Sequence, residues 1–278
     1  MAFPAAWLET GMNPATPTHR WIRCQRPGAA VRLFCLPYAG GGATVYRTWG
    51  ASLPATISVC PIQLPGREDR LADAPFTELR PLVDALAAAI VPSLDRPFAL
   101  FGHSMGALIA YELARELHRQ AGVLPLRLFV SGRVAPHLPP YLPPIHHLPD
   151  EAFLAELQRR YGGIPALLWQ EAELRELLLP QLRADLTLVE TYAHAASPPL
   201  PCALTAFGGT DDKHVGRTSL AAWRDHVRDE ISVQMFEGGH FYLNHSQRPL
   251  LQAIAAALGE SLRSGPSHAS RRPDTDFP

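Results

Sequence analysis

The sequence predicts an α/β fold in which a mainly parallel central sheet is flanked by helices. Short apolar runs of strand length alternate with helical patterns along the chain. The composition, 47% hydrophobic and 18% charged, supports a large core. The chain has 278 residues, a length that α/β folds reach as a single unit. The runs that we expect to form strands are Val31–Leu36, Ile57–Leu64, Phe98–Phe101, Leu126–Ser131, Ala203–Phe207 and Ile231–Phe236.

Apolar residues at helical spacing separate several of these runs. The pattern is clear over Leu79–Ile90 and Met105–His118, and a last helix is expected over Pro249–Leu262, with proline at its start. We therefore predict one domain over residues 21–263. The flanking segments 1–20 and 264–278 lack apolar periodicity, so we expect a loose N-terminal segment and a disordered C-terminal tail.

One segment interrupts the alternation, and we expect it to form a helical lid. Six prolines fall between Pro136 and Pro149, and the helical patterns that follow have no strand between them. Asp150 is placed to cap a helix that ends at Gly162, and a further helical run covers Pro180–Tyr192. The insertion spans about 135–200 between two late strands. Such excursions lie over the carboxyl edge of the sheet, where α/β proteins bind ligands.

Charge and hydropathy exclude several classes of function. The 25 basic and 26 acidic side chains give a formal charge of −1, which removes the electrostatic basis for nucleic-acid binding. The chain has no basic signal-peptide start and no uncharged apolar run of membrane-spanning length, so we expect a soluble cytoplasmic protein without membrane contact. Four cysteines lie far apart, and we expect all four to be buried reduced thiols: Cys24, Cys35, Cys60 and Cys202.

The most informative motif is a serine between two glycines. Residues Gly102-His103-Ser104-Met105-Gly106 follow an apolar strand and open a helix, which is the order of a nucleophile elbow. Glycine is needed at the flanking positions because side chains there would collide with the adjoining strand and helix. We predict that Ser104 is a catalytic nucleophile and that His103 packs or forms hydrogen bonds beside it.

A serine nucleophile requires a base and an orienting carboxylate. In enzymes with this elbow the chain order is serine, acid, histidine. The strand at 203–207 leads to Asp211 and Asp212, and the last strand leads to His240. We predict His240 as the base, and both aspartates are candidates for the acid. The other histidines lack a chemical context and no metal-binding motif occurs, so we expect neither a metal nor a cofactor.

An early glycine run supplies the remaining part of the predicted site. The first strand continues as Pro37-Tyr-Ala-Gly-Gly-Gly-Ala43, which lacks the spacing of a phosphate-binding loop. In enzymes with this elbow, a loop at this position gives one backbone N–H of the oxyanion hole, and the residue after the nucleophile gives the other. We therefore nominate the N–H groups of Ala39 and Met105.

Six groups of residues between about Arg32 and Leu258 together carry a family resemblance. They are Leu36-Pro-Tyr-Ala-Gly-Gly41, Leu64-Pro-Gly-Arg-Glu68 with Arg70, Gly102-His-Ser-Met-Gly-Ala107 followed by Ala110-Tyr-Glu-Leu113, Ser131-Gly-Arg133 with Ala135-Pro136, Leu182-Arg-Ala-Asp185, and Gly238-Gly-His-Phe241. With these segments the chain resembles the type II (editing, stand-alone) thioesterases of polyketide and non-ribosomal peptide biosynthesis, which belong to the α/β-hydrolase superfamily.

The resemblance implies a serine hydrolase that cleaves acyl or aminoacyl thioesters from the phosphopantetheine arms of carrier proteins. Its partner would be an acyl or peptidyl carrier protein, and we expect a monomer. The family's acid motif, Gly-x-x-Asp-Pro-x-Val, matches residues 209–215 except that Lys213 replaces proline. The implied triad is therefore Ser104, Asp212 and His240, with Asp211 as the lesser alternative. The family also implies that the lid lies between the sixth and seventh strands.

Other functions remain open at this point. The same triad would serve a medium-chain fatty acyl thioesterase or a general small-ester esterase. A non-catalytic carrier-binding module would retain the fold, although the intact triad argues against it. Because carrier proteins of this type are commonly acidic, Arg67 and Arg70 are candidates to steer association at the rim of the site. Solvated surface or structural ion pairs are the alternative roles for these two arginines.

Overall fold

A parallel sheet of six strands forms the centre of the computed structural model, which describes residues 18–140 and 142–264. The strand order is β2-β1-β3-β4-β5-β6, and every neighbouring pair is parallel. The predicted fold class is therefore confirmed. The strands are β1 (Val31–Leu36), β2 (Ile57–Pro61), β3 (Phe98–His103), β4 (Arg127–Ser131), β5 (Ala203–Gly209) and β6 (Ile231–Phe236).

Helices cover both faces of this sheet. They are α1 (Thr18–Trp21), α2 (Trp49–Ser52), α3 (Leu79–Ile90), α4 (Met105–Ala121), α5 (Asp150–Tyr161), α6 (Ala166–Gln170), α7 (Ala172–Glu190), α8 (Arg217–Ala221) and α9 (Gln247–Ser264). None of these helices is long and apolar enough to cross a membrane.

Two hydrophobic cores lie on opposite faces of the sheet. Because side chains alternate along a strand, Phe34 and Leu36 of β1 enter the core formed with α3 and α4, whereas Leu33 and Cys35 enter the core formed with α2 and α9. A strand that is buried on both faces reads as a continuous apolar run. This explains why the buried strands β1 to β4 could be located from the sequence.

The segment expected to form the lid folds into α5, α6 and α7, with a small hydrophobic core of its own that includes Phe153 and Leu182. We refer to these helices as the lid, and their role as a cover of the site remains a prediction. It lies between β4 and β5, which are the fourth and fifth of the six described strands rather than the sixth and seventh. Two local predictions were wrong. Asp150 is the first helical residue rather than the cap, and its carboxylate lies 2.5 Å from the guanidinium of Arg183. Pro180 lies inside α7 instead of starting a helix.

The two ends of the chain are only partly described. The short helix α1 occupies the last residues of the segment expected to be loose, and Arg20 forms a 3.0 Å ion pair with Asp73. Helix α9 runs to Ser264. The remainder of both terminal segments lies outside the described residues.

A disulfide between Cys24 and Cys60 corrects the expectation that all four cysteines are reduced. Backbone hydrogen bonds of 3.2 and 3.0 Å join residues 23 and 25 to β2, and this pairing places Cys24 beside Cys60 of that strand. The other two cysteines are buried free thiols, as expected. Burial raises the pKa of Cys35 well above its usual value and that of Cys202 to about 12.

Candidate active site

Ser104 occupies a sharp turn between β3 and α4. Its φ of 53° and ψ of −111° lie in a region that non-glycine residues rarely adopt, as the nucleophile elbow requires. A Cβ on Gly102 would lie 1.9 Å from Gly106 O, and a Cβ on Gly106 would lie 2.1 Å from Leu36 O. The elbow therefore fits only with glycine at both flanking positions, because a side chain at either one would overlap backbone atoms.

Asp212 and His240 meet above the carboxyl edge of the sheet. His240 Nδ1 lies 2.7 Å from Asp212 Oδ2, and both side chains are almost fully buried. The second oxygen, Asp212 Oδ1, accepts the N–H groups of His214 at 3.0 Å and Val215 at 3.2 Å. Because a carboxylate only accepts hydrogen bonds, the Nδ1 atom carries the proton and Nε2 keeps its lone pair.

Electrostatics keep Asp212 ionised in this position. Burial raises the pKa of the carboxyl, but the hydrogen bond and charge of His240 and the two backbone N–H groups outweigh this effect and lower it below its usual value. A charged Asp212 can thus hold the His240 ring and stabilise its protonated form.

The alternative acid, Asp211, does not approach His240 in this arrangement. Its side chain is exposed and accepts a 3.3 Å hydrogen bond from the hydroxyl of Thr210. Its backbone N–H donates to Gly238 O at 2.9 Å, so Asp211 helps to join the acid loop to the histidine loop. The structure therefore brings Asp212 to His240 and leaves Asp211 in solvent.

The loop that carries His240 reaches back across the sheet toward the elbow. Tyr242 OH lies 2.6 Å from the hydroxyl of Ser131 at the end of β4. The ring of His240 lies 5.1 Å from that of His103, the residue before Ser104. Among the described residues no hydrogen bond joins Ser104 to His240. In unliganded serine hydrolases this contact is commonly long and tightens when substrate binds.

His103 has the packing and hydrogen-bonding role that we predicted. Its side chain is completely buried, and its Nδ1 atom lies 2.8 Å from Ser131 Oγ. Burial, and then the charge of His240, lower the pKa of His103 well below its usual value. This ring therefore stays neutral at physiological pH and supports the His240 ring by contact.

The loop after β1 presents backbone N–H groups near the start of α4. The N–H of Gly40 donates to Asp185 Oδ2 at 2.8 Å, and that of Gly41 donates to Tyr38 O at 2.9 Å. In residues 18–140 and 142–264, the N–H groups of Ala39 and Met105 have no hydrogen-bond acceptor. Both nominated groups are thus available to an oxyanion, and their catalytic use remains a prediction.

The two arginines considered for the rim are instead buried in structural contacts. Arg67 forms a 2.8 Å ion pair with Asp185 of α7. Arg70 forms a 2.7 Å ion pair with Asp73, and its guanidinium lies 4.3 Å above the ring of Trp21. Neither side chain is available to steer a partner, so the alternative role in structural ion pairs is the one that the structure supports. The sequence did not indicate that Asp185 forms an ion pair with Arg67, because 118 residues separate the two in the chain.

A cavity of about 330 Å³ lies between the acid loop and the start of the lid. It is lined by Val134, Leu138, Pro139, Lys213, His214 and Ser219. Within the described ranges, no cluster of three or more histidine, cysteine, aspartate or glutamate side chains has the arrangement of a metal site. The groups that the site offers for chemistry are the side chains of Ser104, Asp212 and His240 and the nearby backbone N–H groups.

Several known proteins are similar to this chain. A family model described as a thioesterase domain matches residues 31–261. The chain belongs to the thioesterase family. Among similar proteins, the gramicidin S biosynthesis protein GrsT of Aneurinibacillus migulanus is 46% identical over 83% of this chain and 90% of that protein. Thioesterase PikA5 of Streptomyces venezuelae is 40% identical, covering 86% of this thioesterase and 85% of that protein.

A solved structure extends the likeness to three dimensions. The type II thioesterase BorB from the borrelidin biosynthetic cluster superposes with a TM-score of 0.76 at 36% identity, covering 86% of this chain and 96% of that one. The α/β-hydrolase fold and the resemblance to type II thioesterases are thus confirmed, and the protein is a thioester hydrolase. The catalytic roles of Ser104, Asp212 and His240 and of the Ala39 and Met105 N–H groups remain predictions.

Proposed function

We propose that this thioesterase hydrolyses acyl or aminoacyl thioesters on the phosphopantetheine arm of carrier proteins. In this role it removes aberrant or stalled groups from polyketide or non-ribosomal peptide synthases. The observation that carries the proposal is the buried hydrogen bond between Asp212 and His240 beside the Ser104 elbow. The likeness to gramicidin and borrelidin pathway proteins supports the choice of substrate.

The geometry suits a two-step acyl transfer. His240 Nε2 takes the proton of Ser104 as the serine oxygen bonds to the thioester carbon, while the Ala39 and Met105 N–H groups hold the negative oxygen. The carbon–sulfur bond then breaks, and the sulfur leaves readily because a thiol has a pKa of about 8.5. The departing sulfur takes the proton from His240, which restores the neutral base. A water molecule repeats the same steps on the acyl-enzyme and regenerates Ser104.

The position of the lid favours a substrate of which only a narrow part enters the site. Tyr161, at the end of α5, places its ring 5.0 Å from the ring of His240, so the lid covers the proposed base. In the proposed role the folded carrier protein stays outside this cover, and only the extended pantetheine arm reaches His240. The carrier would then contact the rim and add to the binding energy. We also propose that the enzyme is a monomer and acts in the cytoplasm.

A comparison of two substrates tests this function. The same acyl group is presented on a carrier protein and on N-acetylcysteamine, and kcat/KM is measured for each, with Ser104→Ala as the control for background hydrolysis. We expect the carrier-bound thioester to give the higher kcat/KM, with modest discrimination among short chains. Equal or reversed values would contradict the carrier-editing role and would favour a general esterase or a hydrolase of free thioesters.

A further inference from the structure

The turn after β1 fixes the direction of one backbone N–H. Gly41 N donates to Tyr38 O at 2.9 Å, and Gly40 has a φ of +80°, which closes a tight turn with Ala39 and Gly40 at its centre. In a trans peptide the C=O and N–H point in opposite directions. Because the C=O of Tyr38 points into the turn, the N–H of Ala39 in the same peptide points away from it. This N–H is the nominated oxyanion donor.

One buried ion pair holds two further peptide groups, one within this turn and one directly after it. Asp185 Oδ2 accepts the N–H of Gly40 at 2.8 Å, and Arg67 Nη1 donates to Gly41 O at 3.0 Å. The two side chains are also joined to each other by a two-pronged contact, with N···O distances of 2.8 and 2.9 Å. Their side chains are only 4% and 3% exposed.

The two members of this pair come from separate parts of the fold. Arg67 lies in the loop after β2, where its backbone C=O accepts a 2.9 Å hydrogen bond from the buried side chain of Gln63. Asp185 lies on the lid helix α7. The Ala39 side chain packs against both the lid core and the core on the α3 and α4 face of the sheet. The turn is thus held between the lid and the body of the protein by directional contacts.

Packing of the lid against the body of the protein would not by itself require a buried ion pair. A buried ion pair is commonly no more stabilising than apolar side chains of similar volume, because desolvation offsets the attraction between the charges. What the pair supplies, and apolar residues cannot, is one acceptor and one donor aimed at particular peptide groups. An oxyanion donor must lie about 2.7–3.1 Å from the developing charge, so the orientation of such groups matters for the rate.

We propose that Arg67 and Asp185 are positioning residues that hold the Ala39 N–H in the oxyanion hole. The inference rests on the proposed role of Ala39 and needs no contact between the pair and the substrate. It also means that the lid helix α7 supplies part of the support for the oxyanion hole, so this part of the lid belongs to the catalytic framework as well as to the cover of the site.

A double substitution separates positioning from stability. Arg67→Met with Asp185→Leu replaces the buried pair by apolar side chains of similar size, which leaves no unpaired charge. The matched control is Arg183→Met with Asp150→Leu, which removes an ion pair within the lid that does not touch the turn. A second test variant, Arg67→Gln with Asp185→Asn, is also neutral but keeps an amide oxygen that can accept the N–H of Gly40.

The measurements distinguish the transition state from the ground state. We would determine kcat and KM with acetyl-N-acetylcysteamine, the pH dependence of kcat/KM, and the thermal midpoint of each variant. We would also measure the affinity for hexyl trifluoromethyl ketone, which forms a tetrahedral oxyanion with the serine, and for the matching thioether, which does not. These substrates and inhibitors contain no carrier protein, so the result is independent of whether the carrier-editing function is correct.

For the Met/Leu pair we expect kcat to fall about 10- to 100-fold, less than the ~10²–10³ that loss of a whole donor costs. Affinity for the trifluoromethyl ketone should fall in proportion, whereas KM, thioether affinity and the apparent pKa of the base should not change. The Gln/Asn pair should recover most of kcat, and the Arg183 control should match the wild type. The proposal is overturned if ketone affinity and kcat stay within about twofold of the wild type in both test variants, if only KM changes, or if the control loses as much kcat.

Discussion

Replacement of Asp212 by asparagine should lower kcat by about 10⁴ without unfolding the enzyme, an effect of the size known for this change in a serine triad. The reason lies in the three hydrogen bonds that the carboxylate accepts, one from His240 and two from the backbone N–H groups of residues 214 and 215. An asparagine side chain has one oxygen and one NH2 group, so it cannot accept all three.

Two orientations are available to the new amide. If its NH2 group faced the two backbone donors, two partly buried N–H groups would lose their acceptor, at a cost of up to about 1–3 kcal/mol each. The preferred orientation therefore keeps the oxygen on the backbone and turns the NH2 group toward His240. Because an NH2 group donates, Nδ1 of His240 must accept this hydrogen bond, and the single ring proton then lies on Nε2. The ring can then no longer accept the proton of Ser104.

The assay is thioester hydrolysis under saturating substrate, with the thermal midpoint measured in parallel. A loss of 10⁴ in kcat corresponds to about 5 kcal/mol in the activation free energy. Asp211→Asn is the matched control, because its side chain is exposed and lies one residue away in the same loop. We expect this control to retain nearly full activity. If Asp211→Asn is the damaging change, or if Asp212→Asn keeps a tenth of the wild-type kcat, the assignment of the acid is wrong.

Three further outcomes follow from the structure. Burial, and then the charges of two neighbouring histidines, lower the pKa of His226 from 6.5 to about 4. As the pH falls, His226 therefore becomes protonated in the unfolded chain at a higher pH than in the folded protein. Between pH 6.5 and 4 the free energy of unfolding should drop by about 3 kcal/mol from this group, and denaturant titrations of His226→Gln should show a smaller drop. Alkylation in denaturant without reductant should modify two of the four cysteines, whereas four modified cysteines would exclude the bond between Cys24 and Cys60. Gly106→Ala should cost roughly 10²-fold in kcat, because its Cβ would lie 2.1 Å from a backbone oxygen at the end of β1 and must displace the site by about 1 Å. Gly28→Ala, where a Cβ meets nothing within 4 Å, is the control, and equal kcat losses in the two would contradict this steric argument.

Features encoded by neighbouring residues could be predicted from the sequence. The strands Val31–Leu36 and Ile231–Phe236 and the helix Leu79–Ile90 have the predicted bounds. Burial of the first strand and of one face of the helix produces continuous or periodic apolar patterns, whereas the edge strand Ile231–Phe236 is only partly buried. The serine elbow was found for the same reason, since its strand, turn and helix are contiguous in the chain. Asp212 and His240 each follow a strand, and parallel strands bring such positions to one edge of the sheet.

Features that depend on distant partners could not be predicted. Nothing near Arg67 in the sequence indicates that Asp185, 118 residues away, would bury its charge, so a rim role looked equally reasonable. The pairing of Cys24 with Cys60 depends on a short segment lying beside β2. Pro180 was expected to start a helix, but α7 continues through it, and Leu179 and Leu182 on either side pack into the lid core. In each case tertiary packing outweighs the local signal.

The most direct test of the central claim is intact-protein mass spectrometry of an acyl-loaded carrier protein incubated with the enzyme. The wild type should convert the acylated carrier to its free-thiol form, and Ser104→Ala, with an unchanged thermal midpoint, should leave the acyl group in place. Loss of the acyl group at similar rates with both enzymes would contradict the assignment of the nucleophile. Retention of the acyl group with the wild type, in a sample that still hydrolyses acetyl-N-acetylcysteamine, would contradict the role on carrier proteins.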